Sequence, residues 1–247
     1  MRGLWKFTWV ELKLFLREPM GAFFTLIFPM MMLLCFGSIY GNKPSDHFGG
    51  FGMVDISVPG YSAMVICMSG LFLLTLRIAS YREQGVLRRL RPTPLRPHAI
   101  LTAQVLALFG MTALGMTALM VTGKLLYHMR VVGDPLSIVA ALGLSTLSFL
   151  ALGFVLAGIV PTTRTALSTV MVLFYPMIFL SGATIPREEL PESIRRISQV
   201  FPLTYVVNLL RGMWIGDPWS RHLVDVAVLA GMIVLGVAIT AKTFRWE

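Results

Sequence analysis

Six apolar runs of membrane-crossing length decide what this chain can fold into. Residues 20–41, 58–80, 99–122, 135–160, 165–183 and 222–241 are each predominantly apolar, and about 20 such residues in a helix cross the hydrocarbon core of a bilayer. Lipid offers no partner to a backbone N–H or C=O, so runs of this length must be helices that satisfy their own hydrogen bonds. The composition agrees. Of 247 residues 56% are hydrophobic and 13% charged, where a soluble domain carries about 25% charged residues. The expectation is an all-α polytopic membrane protein, with residues 1–247 forming one six-helix transmembrane domain. The first run is long, starts some way into the chain and has no small-residue cleavage site, so it reads as a span and not as a signal peptide. Gly110 with Gly115, and Gly153 with Ala157 and Gly158, are expected to permit close helix approach. Pro29 and Pro176 are expected kinks. Cys35 and Cys67 fall inside apolar runs and read as small hydrophobic side chains, not as a disulfide or a metal site.

Charge orients the spans. With the N-terminus in the cytoplasm, 13 of the 21 Lys and Arg residues and four of the 12 acidic residues lie inside. The net charge is then +9 inside and zero outside, which puts both termini in the cytoplasm. The basic excess follows membrane topology and does not point to nucleic acid.

Four segments lie between or before the spans. Residues 2–18 place Trp5, Trp9, Leu12 and Leu16 on one arc of a helix and Arg2, Lys6, Lys13 and Arg17 on the adjoining arc. This pattern suits a helix lying on anionic lipid with Trp at headgroup depth. A cytoplasmic extension of the first span is the alternative, although Glu18 before Pro19 favours a break. Residues 42–57 are Gly-rich and read as an external loop without a detectable site.

Residues 81–97 are short, charged and amphipathic. Arg82, Glu83, Arg88, Arg89 and Arg91 surround Val86, Leu87 and Leu90, with Gly85 and Pro92-Thr93-Pro94 as boundaries. Either the loop only sets topology, or its leucines dock into a partner. Residues 184–221 form the longest connection. Acidic residues around Arg187-Glu188-Glu189 open a helix, and Ile194, Ile197, Val200 and Phe201 form an apolar stripe. The run from Leu203 to Trp214 is apolar but too short to span. Two short re-entrant helices over residues 186–215 are expected, with Asn208 and Arg211 needing partners or an aqueous lining.

Much chemistry is missing from the pattern. There is no G-x-x-x-x-G-K-[ST] phosphate loop, no H-E-x-x-H pair and no Ser in a G-x-S-x-G context. His47, His98, His128 and His222 lie in or near loops and read as surface or headgroup residues, so no catalytic or metal residue is expected. The first five runs carry no ionisable residue near their centres, and Asp225 sits in the first turn of the sixth. Ion coupling therefore has little to work with.

In order, the chain shows Leu14-Phe15-Leu16-Arg17-Glu18-Pro19, then Arg82-Glu83, Gly85, Leu87, Arg89-Leu90 and Thr93-Pro94. Phe179-Leu180-Ser181-Gly182, Pro186 and Leu190-Pro191 follow, and then Phe201-Pro202-Leu203-Thr204-Tyr205 with Leu210-Arg211. Over essentially its whole length this order resembles the permeases of type-2 ABC exporters, in the daunorubicin-resistance and nodulation-export branch. The resemblance implies a pair of six-span subunits, usually identical, in a prokaryotic plasma membrane. It implies two separate ATPase subunits, which bind the ATP and Mg that this chain does not hold. It implies that Arg82, Glu83, Gly85, Leu87, Arg88, Arg89 and Leu90 belong to a coupling helix seated in the ATPase. Phe174, Tyr175, Phe179, Ser181 and Gly182 become candidates for lining a path for amphipathic cargo. Many members carry an acidic residue where this chain has Arg88, which implies an ATPase groove with matching acids.

The cargo stays open between a hydrophobic drug, a lipid and a lipid-linked glycan. Met30, Met31, Met32, Met64 and Met68 suit a surface for varied apolar ligands, or ordinary packing. An ion-coupled secondary carrier and a non-transporting binding or immunity protein are the rival readings.

Overall fold

The computed structural model describes residues 9, 12–13, 19–85, 97–184 and 191–243. Every regular element among them is helical. Six helices are long and apolar enough to cross a membrane. They are α1 (Phe23–Tyr40), α2 (Met53–Glu83), α3 (Pro97–Tyr127), α4 (Pro135–Ile159), α5 (Thr163–Leu180) and the last span, α8 (Leu223–Thr243). Two short helices, α6 (Glu192–Ser198) and α7 (Pro202–Ile215), stand between α5 and α8. The chain is a multi-pass membrane protein. Its spans alternate in direction, which leaves two rims: one carries Asn42 and the 128–134 loop, the other carries residues 83–85 and the 160–163 turn.

The centre of the bundle is α2. From Val54 to Leu71 its side chains are buried without interruption, so this helix is apolar all round because protein surrounds it. Two small-residue contacts set its position. A methyl group built on Gly60 would stand 2.6 Å from the Ala183 carbonyl oxygen. One built on Gly70 would stand 2.5 Å from the Phe149 carbonyl carbon, and one on Gly153 would overlap the Gly70 carbonyl. The α2–α4 crossing is therefore a backbone-to-backbone contact that only glycine admits, and Thr75 Oγ1 donates to the Gly153 carbonyl beside it at 3.2 Å. Gly153 meets the expectation of close approach. Gly110 has nothing near it.

Both α1 and α2 contain a widened π-helical turn. In α1 it covers Phe23–Ile27, just ahead of Pro29. Pro29 has no N–H for the carbonyl four residues earlier, and its ring crowds that carbonyl, so a wider preceding turn relieves the clash. In α2 the π segment is Met68–Leu74, at the Gly70 crossing.

The sequence-derived boundaries need correction at three places. Residues 53–57, expected in a loop, are the first turns of α2, because Asp55 in the first turn accepts from the backbone N–H of Gly52 at the N-cap. Asp55 is buried and accepts from the N–H groups of Gly52 (3.0 Å) and Arg130 (2.8 Å) and from Asn42 Nδ2 (2.9 Å). One carboxylate thus ties the 41–52 loop, α2 and the 128–134 loop together. The third helix runs beyond 99–122 at both ends. His222, expected at the surface, is largely enclosed, with its Nδ1 2.9 Å from Asp225 Oδ2.

The short helices follow the expected pattern only in part. Nine residues of α7 are buried, Trp214 among them. It packs against α2, α4, α5 and α8, and its C-terminal end is held to the Asn42 rim by the Val132 and Gly133 N–H groups, which donate to the Trp214 carbonyl at 3.2 and 3.0 Å. Among the described residues, the apolar stripe that begins in α6 is covered only in part. Ile197 and Val200 are exposed, while Ile194 and Phe201 are half-buried. The helix opening expected at residues 187–190 lies outside the described residues.

Candidate coupling site and transport face

The second span ends in charged residues and a helix stop. The Gln84 N–H reaches the Ser80 carbonyl at 2.9 Å, that of Gly85 reaches Arg82 at 3.0 Å, and Gly85 takes φ +67°. Such a left-handed residue closes a helix at little cost only when it is glycine, so Gly85 ends α2 and Arg82 and Glu83, expected in the coupling loop, belong to its last turn, while the short helix that Gly85 was expected to bound lies outside the described residues. Arg82 and Glu83, just before this stop, both turn to the neighbouring 160–163 connection. Arg82 Nη1 donates to the Val160 carbonyl at 2.9 Å. Glu83 Oε2 accepts from Thr163 twice, from its N–H at 3.2 Å and from its Oγ1 at 2.5 Å.

Thr163 is the first residue of α5, and Thr162 before it is the N-cap, with Thr165 completing a capping box. The first N–H groups of a helix lack intrahelical partners and carry the positive end of its dipole, which makes them a good seat for a carboxylate. The α5 start is therefore capped twice: from within by Thr162, and from α2 by Glu83. Leu87, Arg88, Arg89 and Leu90, the remainder of the expected coupling segment, lie outside the described residues. Thr163 was absent from the sequence-derived candidates. The run Thr162-Thr163-Arg164-Thr165 signals a helix start, but nothing local says that its partner is Glu83.

The five span-5 candidates separate into two environments. Phe174 faces inward and meets the Phe72 ring edge-on at 5.9 Å between centroids. Ser181 is buried, and its Oγ accepts from the Ala183 N–H at 3.3 Å. Gly182 turns the chain at φ +87°. Tyr175 and Phe179, one turn apart, are each 54% exposed. With Met171 and Val172 they form an uncovered apolar face on α5. The first set builds the bundle and the second leaves it.

Of the amphipathic N-terminal segment, Trp9 is exposed with Lys13 Nζ 5.7 Å from its ring centroid, a separation at which a cation is attracted to the ring face. Leu12 packs on the cluster containing Leu73 and Leu108. Trp5, Lys6 and Arg17 lie outside the described residues.

Residues 2–214 match the model of the family described as ABC-2 type transporter. The chain belongs to the ABC-2 type transporter family. It is similar along 96% of its length, at 23% identity, to the daunorubicin resistance ABC transporter permease protein DrrB1 of Streptomyces coeruleorubidus, of which 84% is covered. Over 104 residues it is 27% identical to nodulation protein J of Rhizobium leguminosarum bv. viciae, which covers 42% of this chain and 40% of that protein. Over 160 residues it is 22% identical to the probable multidrug ABC transporter permease YbhR of Escherichia coli K12, covering 65% of this chain and 44% of that one. In these last two matches the chain spans less than half of the relative's length. The family and these relatives agree with the branch suggested by the motif order, and they describe an ABC-2 membrane permease.

Proposed function

We propose that this chain is the membrane-spanning permease of an ATP-driven exporter, powered by two separate ATPase subunits that bind ATP and Mg. The observation that carries the reading is the junction of Arg82 and Glu83 with Val160 and Thr163. The proposed docking segment begins where α2 is already bonded to the start of α5. A partner that grips Leu87, Arg88, Arg89 and Leu90 and moves them would pull on Glu83, and through Thr163 on the helix bearing Tyr175 and Phe179. Leucines give such a grip buried contact, and arginines set its register.

In this reading both termini and the Thr163 rim face the cytoplasm of a prokaryotic cell, within its plasma membrane. The Asn42 rim faces outward, with α6 and α7 as re-entrant helices in the outer leaflet. A second copy of the chain completes the path, and Tyr175 and Phe179 contribute to it. The cargo is an amphipathic drug, lipid or lipid-linked glycan, since the uncovered faces of α1 and α5 are apolar. The names of the relatives, multidrug, daunorubicin resistance and nodulation, support export of such compounds.

The test is gentle affinity purification from the native membrane. The expected result is a stoichiometric soluble subunit bearing a phosphate loop, lost with Leu87→Arg. A solitary oligomer, under conditions where other ABC complexes survive, would favour an ion-coupled carrier or a binding protein.

A further inference from the structure

The second span does not keep one helical form along its length. Met53–Cys67 and Thr75–Glu83 are α-helical, and the seven residues between them, Met68–Leu74, are π-helical. A π turn holds an extra residue, is rare beyond a single turn, and is a place where helices bend sharply. Burial changes at the same point. Every residue from Val54 to Leu71 is buried, while Phe72, Leu76, Ser80 and Arg82 are half-buried. Pro59 also interrupts the backbone ladder. It stands in the enclosed half, however, one turn from Asp55, whose carboxylate is bonded to Gly52, Asn42 and Arg130.

Three neighbours meet the π segment. On α4, the Gly70–Gly153 backbone contact and the Thr75 Oγ1 bond to the Gly153 carbonyl give it a fulcrum. On α1 it touches the other π turn among the described residues, Phe23–Ile27. On α5 the Phe72 ring meets Phe174 edge-on at 5.9 Å between centroids, and Phe174 meets Tyr175 edge-on at 5.8 Å. Tyr175 belongs to the uncovered face of α5. The outer half of α2 is thus fixed at Asp55, its inner half ends with Glu83 bonded to Thr163, and the irregular stretch between them carries a ring that touches α5.

We propose that Met68–Leu74 is the hinge of α2 and that Phe72 is the positioning residue through which a bend there reaches Tyr175. The inference rests on the permease reading, which supplies the force at the inner rim. A bend at the π segment moves Glu83 while Asp55 stays in place, and Phe72 carries the same bend to Phe174. Edge-on ring pairs have a preferred geometry, so a ring at position 72 passes on a rotation that an aliphatic side chain does not.

The experiment measures distances between spin-label pairs in the full chain, in nanodiscs with whatever ATPase co-purifies, in a Cys35→Ser background with Cys67 buried. Gln84→Cys with Ile159→Cys marks the inner ends of α2 and α4, and Met53→Cys with Leu136→Cys marks their outer ends. Phe179→Cys with Leu136→Cys follows α5. Deleting Leu73 takes one residue out of the π turn and lets the stretch close as an α-helix with its flanking faces kept.

Without nucleotide, the inner and α5 distance distributions are expected to be broad and the outer one narrow. The deletion should narrow both broad ones. Phe72→Leu should narrow the α5 distribution alone, and Phe72→Tyr should leave it broad; losing a ring that only fills space would broaden it instead. Three results would overturn the proposal: an inner distribution as narrow as the outer, a folded deletion variant with unchanged breadth, or an α5 distribution that Phe72→Leu broadens or leaves alone. The first and third do not require the deletion variant to fold. ATP should then shift the inner and α5 distances together. If the variants follow this pattern and ATP shifts neither distance, the hinge stands and the permease reading fails.

Discussion

Single residues at the two rims hold helices to one another, and each gives a sharp test. If Glu83 acts through Thr163, then Glu83→Ala leaves the ATPase bound while transport per ATP falls about tenfold, within the range of ordinary coupling between sites. Thr163→Val should do the same, and the double variant should be no worse than either, because residues sharing one interaction are not additive. An additive double variant, measured in vesicles at matched expression, would separate the two residues. At the α2–α4 crossing, Gly153→Val forces a side chain onto the Gly70 carbonyl. Overpacking typically costs about 1–3 kcal/mol, and the expected result is a lower thermal-inactivation midpoint, with Ala milder than Val. An unchanged midpoint would mean that α2 and α4 can move apart freely.

At the scale of elements, helix starts are set by local chemistry, and pH reads one of them. Asp134 caps α4 by accepting from the Ser137 N–H at 2.9 Å, and this hydrogen bond, with a second from the Ser137 side chain, holds its pKa below the usual carboxylate value. A folded-state pKa depressed in this way contributes stability above the unfolded-state value, and loses it as pH falls through the folded one. Stability should therefore decline on acidification below the ordinary Asp range, and Asp134→Asn should flatten that part of the profile. A thermal-inactivation series against pH on both proteins checks it. By contrast Thr162→Ala removes a neutral cap at the α5 start. Losing such a cap costs about 1 kcal/mol, and the loss should not depend on pH.

For the whole molecule, the uncovered apolar surface offers a place for the proposed second copy. The outer faces of α1, with Ile27, Met31 and Leu34, and of α5, with Val172, Tyr175 and Phe179, stay exposed. Lipid covers part of any such surface, and under the proposed pairing of two copies some of it closes the path. In a Cys35→Ser background, Met31→Cys together with Val172→Cys should crosslink between copies under mild oxidation, and ATP should alter the yield if the spans move. Cys67 is buried and serves as an internal control. Crosslinking confined to α8 would move the interface away from α1 and α5.

How much of this was legible depended on whether the cause was local. The six spans, the Gly85 stop and the shortness of Leu203–Trp214 follow from bilayer thickness, φ preference and helix length, which short stretches of sequence report directly. Glu83 and Gly182 could be singled out by motif, but not by what they touch. The roles of Thr163 and Asp55 were invisible because their partners lie far along the chain: Glu83 and Thr163 are separated by 80 residues, Asp55 and Arg130 by 75. His222 looked like a loop histidine because Gly212, which makes room for its ring, gives no sign of doing so. By itself the sequence determined that this chain must be a bundle of membrane-length helices, since lipid leaves an apolar run of that length no other way to satisfy its backbone. Only the tertiary structure decided which helices touch and which polar groups meet at the rims, because those contacts depend on how the helices pack against one another and are written in no single segment.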